Sequence, residues 1–116
     1  MAVSMKDVRR MLDPDEPNYQ AAAELGPEAV GLLRELVDGD DPMLASKAAY
    51  AAGMLEGDLG AEVVRAASHS SDVTVRVAAA ATARNLPAAV AGAILDDLVA
   101  DEDPGIRKVA RRSAPS

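Results

Sequence analysis

The chain has 116 residues and no cysteine, which bounds it to one small domain without disulfides, thiolate metal sites or cysteine nucleophiles. Its 19 acidic residues outnumber 12 Lys and Arg, for a formal net charge of −7, so phosphate backbones and anionic lipid are poor partners. Phe and Trp are absent and the aromatic residues are Tyr19 and Tyr50, so the core must be aliphatic and rich in Ala and Leu, a composition that favours helix over strand.

The N-terminal stretch SMKDVRRML sets Met5, Val8, Met11 and Leu12 on one helical face and Lys6, Asp7, Arg9 and Arg10 on the other. Its charges and short apolar run do not make a signal peptide or a membrane span, so a cytoplasmic protein is expected. After the turn-rich DPDEP comes NYQAAAEL, a helix that stops at Gly26 and Pro27. PEAVGLLRELV is the next amphipathic helix and ends before Asp38, Gly39 and Asp40. DPMLASKAAYAAGML, the loop EGDLG and AEVVRAASH follow. VTVRVAAAATARNL begins like a strand, but its neighbours favour helix. PAAVAGAILDDLV and DPGIRKVARR complete a set of about eight helices.

These pieces repeat. Asp41, Asp72 and Asp103 are thirty-one positions apart, and the same shift aligns Leu44 with Val75 and Ile106, and Ala48 with Ala79 and Ala110. In the intervening helices it aligns Leu32 with Val63 and Ile94, Leu33 with Val64 and Leu95, and Leu36 with Ala67 and Leu98. A two-helix unit at this period predicts an all-α solenoid. The expected organisation is a single domain, 1–116, with an N-terminal capping helix at 1–12, repeats at 13–40, 41–71 and 72–102, and a C-terminal half-repeat cap at 103–116. Alanines at 78–81 and Ala83 then read as spacers that let helix axes approach closely. The three aspartates read as helix N-caps.

The stretches DPMLASKAAYAAGML, DVTVRVAAAATARNL and DPGIRKVARR resemble the first helix of HEAT repeats, in particular the short repeats of the phycobilisome-lyase-like group. The shared pattern is an aspartate, an aliphatic residue followed by Arg, and an alanine-rich run ending near Leu-Gly. The chain departs from it at Ala45, in place of Arg, and at Glu56 and Pro87, in place of Gly. The resemblance implies a right-handed α-α superhelix of three to four repeats, with the second helix of each repeat on the concave face.

The exposed positions of those second helices form their own columns: Arg34, Arg65 and Asp96; Glu35, Ala66 and Asp97; Asp38, His69 and Ala100. The expected partner site is therefore Arg34, Glu35, Arg65, His69, Asp96 and Asp97, a graded surface suited to an extended peptide. Solvated helix faces are the plain alternative. No cofactor, metal or catalytic set is expected. A lone histidine makes no triad, and no phosphate loop or His–Glu metal helix is present. The acidic clusters at 38–41 and 101–104 offer oxygen ligands for a hard cation, but solvated loops explain them more simply. The paucity of aromatics and cations opposes the tetrapyrrole and DNA-glycosylase chemistries of related architectures, and the paired His–Glu motifs of di-iron hydroxylases are missing. The expected function is a non-catalytic module binding a protein or peptide, not nucleic acid or membrane, as a monomer or weak homo-oligomer. Two alternatives are an accessory subunit for a cofactor- or chromophore-modifying enzyme and a unit that stacks end to end. Arg107, Lys108, Arg111 and Arg112 point outward on the last helix, as a polar cap or as a basic patch for an acidic partner.

Overall fold

The computed structural model describes residues 4–12, 24 and 26–114, and these form helices without a strand. The helix expected at NYQAAAEL lies outside the described residues, apart from Glu24. Among the described residues the seven α-helices are α1 (Met5–Leu12), α2 (Val30–Val37), α3 (Pro42–Gly53), α4 (Ala61–Ser68), α5 (Val73–Thr82), α6 (Ala88–Leu98) and α7 (Pro104–Ser113). Short 3₁₀ turns, Gly26–Ala29 and Ala83–Asn85, precede α2 and extend α5. None of the described helices is long and apolar enough to cross a membrane.

Local chemistry explains where the helices start. Asp41, Asp72 and Asp103 have extended backbones and cap α3, α5 and α7. The Asp41 Oδ1 accepts from the Met43 and Leu44 N–H groups at 3.1 and 3.2 Å, Asp72 Oδ1 from Thr74 at 2.8 Å, and Asp103 Oδ1 from Ile106 at 3.1 Å. Pro42 and Pro104 then occupy the first turn, where a missing N–H costs nothing. The segment DVTVRV is helical because Asp72 caps it and the helix buries Val75, Ala78, Ala79 and Thr82 on one face, which outweighs the β preference of valine. Replacing Asp72 with Ala is expected to cost about 1 kcal/mol, with Asn retaining most of the cap. Urea unfolding measures both.

At α1 the cap is reciprocal. The Asp7 N–H donates to Ser4 Oγ and the Ser4 N–H donates to Asp7 Oδ2, each at 3.2 Å. Chiefly through that backbone N–H, and then through the Ser4 hydroxyl, the Asp7 carboxyl is held below its ordinary pKa. The carboxylate half of the cap therefore persists above the ordinary range and is lost only as pH falls through the lowered value.

Contacts between helices run in two rows. In one, α3 packs on α5 and α5 on α7; in the other, α2 packs on α4 and α4 on α6; α1 touches α2 and α3. Three of the five aligned apolar columns sit in matching environments. Leu44, Val75 and Ile106 are all buried, as are Ala48, Ala79 and Ala110, and Leu33, Val64 and Leu95. Leu32 and Leu36 are only partly covered, whereas their equivalents Val63, Ile94, Ala67 and Leu98 are buried.

Alanine makes the α3–α5 contact possible. Ala48, Ala49, Ala51 and Ala52 of α3 and Ala78, Ala79 and Ala80 of α5 are at most 1 % exposed. The backbones approach so closely that a Cβ on Gly53 would strike the Thr82 side chain. A Cβ on Gly60, at the start of α4, would strike the Ala52 carbonyl oxygen. Between them the chain reverses through Gly57, whose φ of +60° is left-handed.

Candidate functional site

The arginines at 76 and 107 perform the same task one period apart. Arg76 Nη1 donates to the Ser70 carbonyl at 2.9 Å, and Arg107 Nη1 donates to the Asp101 carbonyl at 2.7 Å, each reaching six residues back. Arg76 also donates through Nε to Asp101 Oδ1 at 3.1 Å, tying the α4–α5 loop to the α6–α7 loop. The other Asp101 oxygen accepts from the Asp103 N–H at 2.9 Å. The two side chains are 13 % and 11 % exposed, so this pair is shielded and structural. Ala45 stands at the equivalent place in α3 and has no such group.

On the row of second helices, Arg34 is committed. Its Nε meets Asp38 Oδ2 and its Nη1 meets Glu62 Oε1, both at 3.0 Å, so it bridges α2 to α4. The same column places Arg65 one period later, but there the two acids are replaced by His69 and Ala93. Arg65 is accordingly exposed and makes no ion pair among the described residues. It lines a cleft of about 600 Å³ with Glu62, Leu59 and Val90. His69 is the exposed C-cap residue of α4, its N–H bonded to the Ala66 carbonyl. The structure brings His69 and Arg34 together around a separate cleft of about 410 Å³ between the loops that follow α2 and α4. Glu35 is exposed on α2, and Asp96 and Asp97 are exposed on α6, outside both clefts.

Sequence reasoning passed over a third cleft, about 470 Å³, on the opposite row between the starts of α3 and α5. Met43, Lys47, Tyr50 and Thr74 line it, and Met43 is 67 % exposed. A signal was present: Met43 interrupts a column whose other members are Thr74 and Gly105, so its bulk is not required by the repeat.

Four of the six carboxylates in the acidic loops are engaged. Asp41 and Asp103 cap helices, Asp101 pairs with Arg76 and Asp38 with Arg34. Among the described residues no group of three or more His, Asp or Glu side chains is arranged to hold a metal ion. No family model matches the chain, and no curated protein matches it.

Proposed function

We propose that the chain is a short HEAT-like solenoid, a right-handed α-α superhelix, that works as a non-catalytic protein–protein interaction module. The observation that carries this reading is the recurrence, after thirty-one residues, of the same arginine-to-carbonyl bond at Arg76 and Arg107. Bonds repeat here as well as side-chain bulk, as expected of units that each pack only on their neighbours.

The partner lies along the second-helix row, with Arg65 as its cationic anchor and Leu59 and Val90 as adjacent apolar surface. Glu35, Asp96 and Asp97 flank it with negative charge, and His69 lies at the loop end. Arg34 supports this face by holding α2 to α4 and does not itself reach the partner. A peptide of mixed charge with a carboxylate opposite Arg65 and cations opposite Asp96 and Asp97 fits that order.

The test is affinity capture of cross-linked partners from native lysate with the wild-type chain and an Arg65→Glu/Asp96→Lys/Asp97→Lys variant of unchanged melting temperature. Loss of the captured species from the variant is expected. Equal recovery by both chains would remove the second-helix face from consideration.

A further inference from the structure

At the far end of the molecule two arginines distant in sequence converge. Arg84, in the 3₁₀ turn after α5, and Arg112, in the last turn of α7, line a single cleft of about 260 Å³. Ala88 and Ala114 are the exposed apolar residues of its lining, the buried Leu86 and Ala91 lie beneath, and no acidic side chain lines it. Both arginines are exposed, and neither makes an ion pair among the described residues. That sets them apart from Arg34 and Arg76, whose guanidinium groups are each occupied by carboxylates.

The charge lining the cleft has one sign. Helix α7 carries Arg107, Lys108, Arg111 and Arg112 and no acid, four of the chain's twelve Lys and Arg in ten residues. Arg107 is engaged with the Asp101 carbonyl, which leaves Lys108, Arg111 and Arg112 as outward charge. A helix C-terminus favours such cations, which accounts for basic residues in the last turn but not for Arg84, which belongs to another element. Guanidinium groups offer paired donors that match carboxylates, and the apolar floor suits one small aliphatic side chain. A molecule with net charge −7 repels polyanions at long range, so nucleic acid and anionic membrane fit less well than a short segment.

We propose that the Arg84–Arg112 cleft is a second docking site, and that it takes an acidic peptide segment of a partner protein in which carboxylates flank a small aliphatic residue. Arg84 and Arg112 each engage one carboxylate, the aliphatic side chain rests on Ala88 and Ala114, and Lys108 and Arg111 widen the attractive field. The site is independent of the second-helix face.

A fluorescein-labelled peptide of sequence GELEVEELG, titrated with the full chain and read by fluorescence anisotropy, tests this. Saturable binding is expected at low salt and should weaken as ionic strength rises, because exposed charges are screened beyond roughly 10 Å at 0.1 M. Arg84→Glu/Arg112→Glu should weaken binding at least about ten-fold. Lys6→Glu/Arg10→Glu alters net charge equally on the exposed face of α1 and should leave binding within about two-fold, the scatter expected of a distant charge change. Circular dichroism confirms that both variants are folded. Absence of binding, or equal weakening by the two variants, overturns the proposal. So does a wild-type dimer in sedimentation that Arg84→Glu/Arg112→Glu disperses, which assigns the cleft to a second copy. Preference for a short single-stranded DNA over the peptide does the same.

Discussion

Replacing Arg76 with alanine is expected to lower stability by about 3 kcal/mol, because removing one partner of a shielded, hydrogen-bonded ion pair strands the other. The stranded groups are identifiable. Asp101 loses the Nε donor to its Oδ1, and the Ser70 carbonyl loses Nη1. In a domain of this size that is a fall of roughly 10 °C in Tm. Asp101→Asn is expected to cost a similar amount, since the guanidinium then lacks its counter-charge and the Asp103 N–H loses a charged acceptor. Arg76→Lys should fall between, because an ammonium cannot make both bonds in the fork geometry of a guanidinium. Arg34→Ala is the contrast. Its side chain is 41 % exposed and its partners 57 % and 78 %, so solvent screening limits the loss to at most about 1 kcal/mol. Thermal unfolding followed by circular dichroism reads all four. Equal melting of Arg76→Ala and wild type would mean that the loops are not held by this pair.

Gly60→Ala is the second large effect, expected at about 3 kcal/mol, the upper end for overpacking. The cause is space and not backbone strain. Gly60 has φ −89° and ψ 0°, a conformation open to any residue, but a Cβ there meets the Ala52 carbonyl oxygen, which cannot rotate away. Gly53→Ala meets the Thr82 side chain instead and should cost about 2 kcal/mol. Shortening Thr82 to Ala in the same chain should return part of that loss, a coupling that a double-mutant cycle isolates. Thr82 Oγ1 is buried without a hydrogen-bond partner, so its removal leaves no donor or acceptor stranded. Gly92→Ala is the control. Nothing lies within 4 Å of its added Cβ, and it sits inside α6, so a gain of up to about 1 kcal/mol is expected from helix propensity. If Gly60→Ala proves as benign as Gly92→Ala, α3 and α4 do not approach as closely as the structure places them.

Much of the helical framework was legible in advance because the information is local or periodic. Asp41, Asp72 and Asp103 were readable as caps since a cap needs only a carboxylate next to free N–H groups two or three residues on. The buried columns through Leu44, Leu33 and Ala48 were readable because the side chains of equivalent positions must fill equivalent space. The break of α5 into a helix and the Ala83–Asn85 turn was not anticipated, nor was the 3₁₀ geometry of Gly26–Ala29, since element ends are set by weak competing bonds.

The proposed binding surface was less legible, and the reason is visible in one column. Arg34 and Arg65 are the same residue type thirty-one positions apart, yet Arg34 is held by Asp38 and Glu62 while Arg65 is exposed beside Leu59 and Val90. A column records side-chain type but not whether a charge across the inter-helix gap neutralises it. Arg84 and Arg112 make the same point, since twenty-eight positions separate them and no shared motif joins them, yet they line one cleft. The amino-acid order by itself determined the helices, their caps and the spacing of their apolar faces, all consequences of hydrogen bonds and burial within a helix and between neighbouring helices. Only the tertiary structure decided which cations are paired and which exposed, and where two backbones come too close for a methyl group, because Coulomb attraction and steric overlap act over a few ångströms between atoms that the chain brings together only on folding.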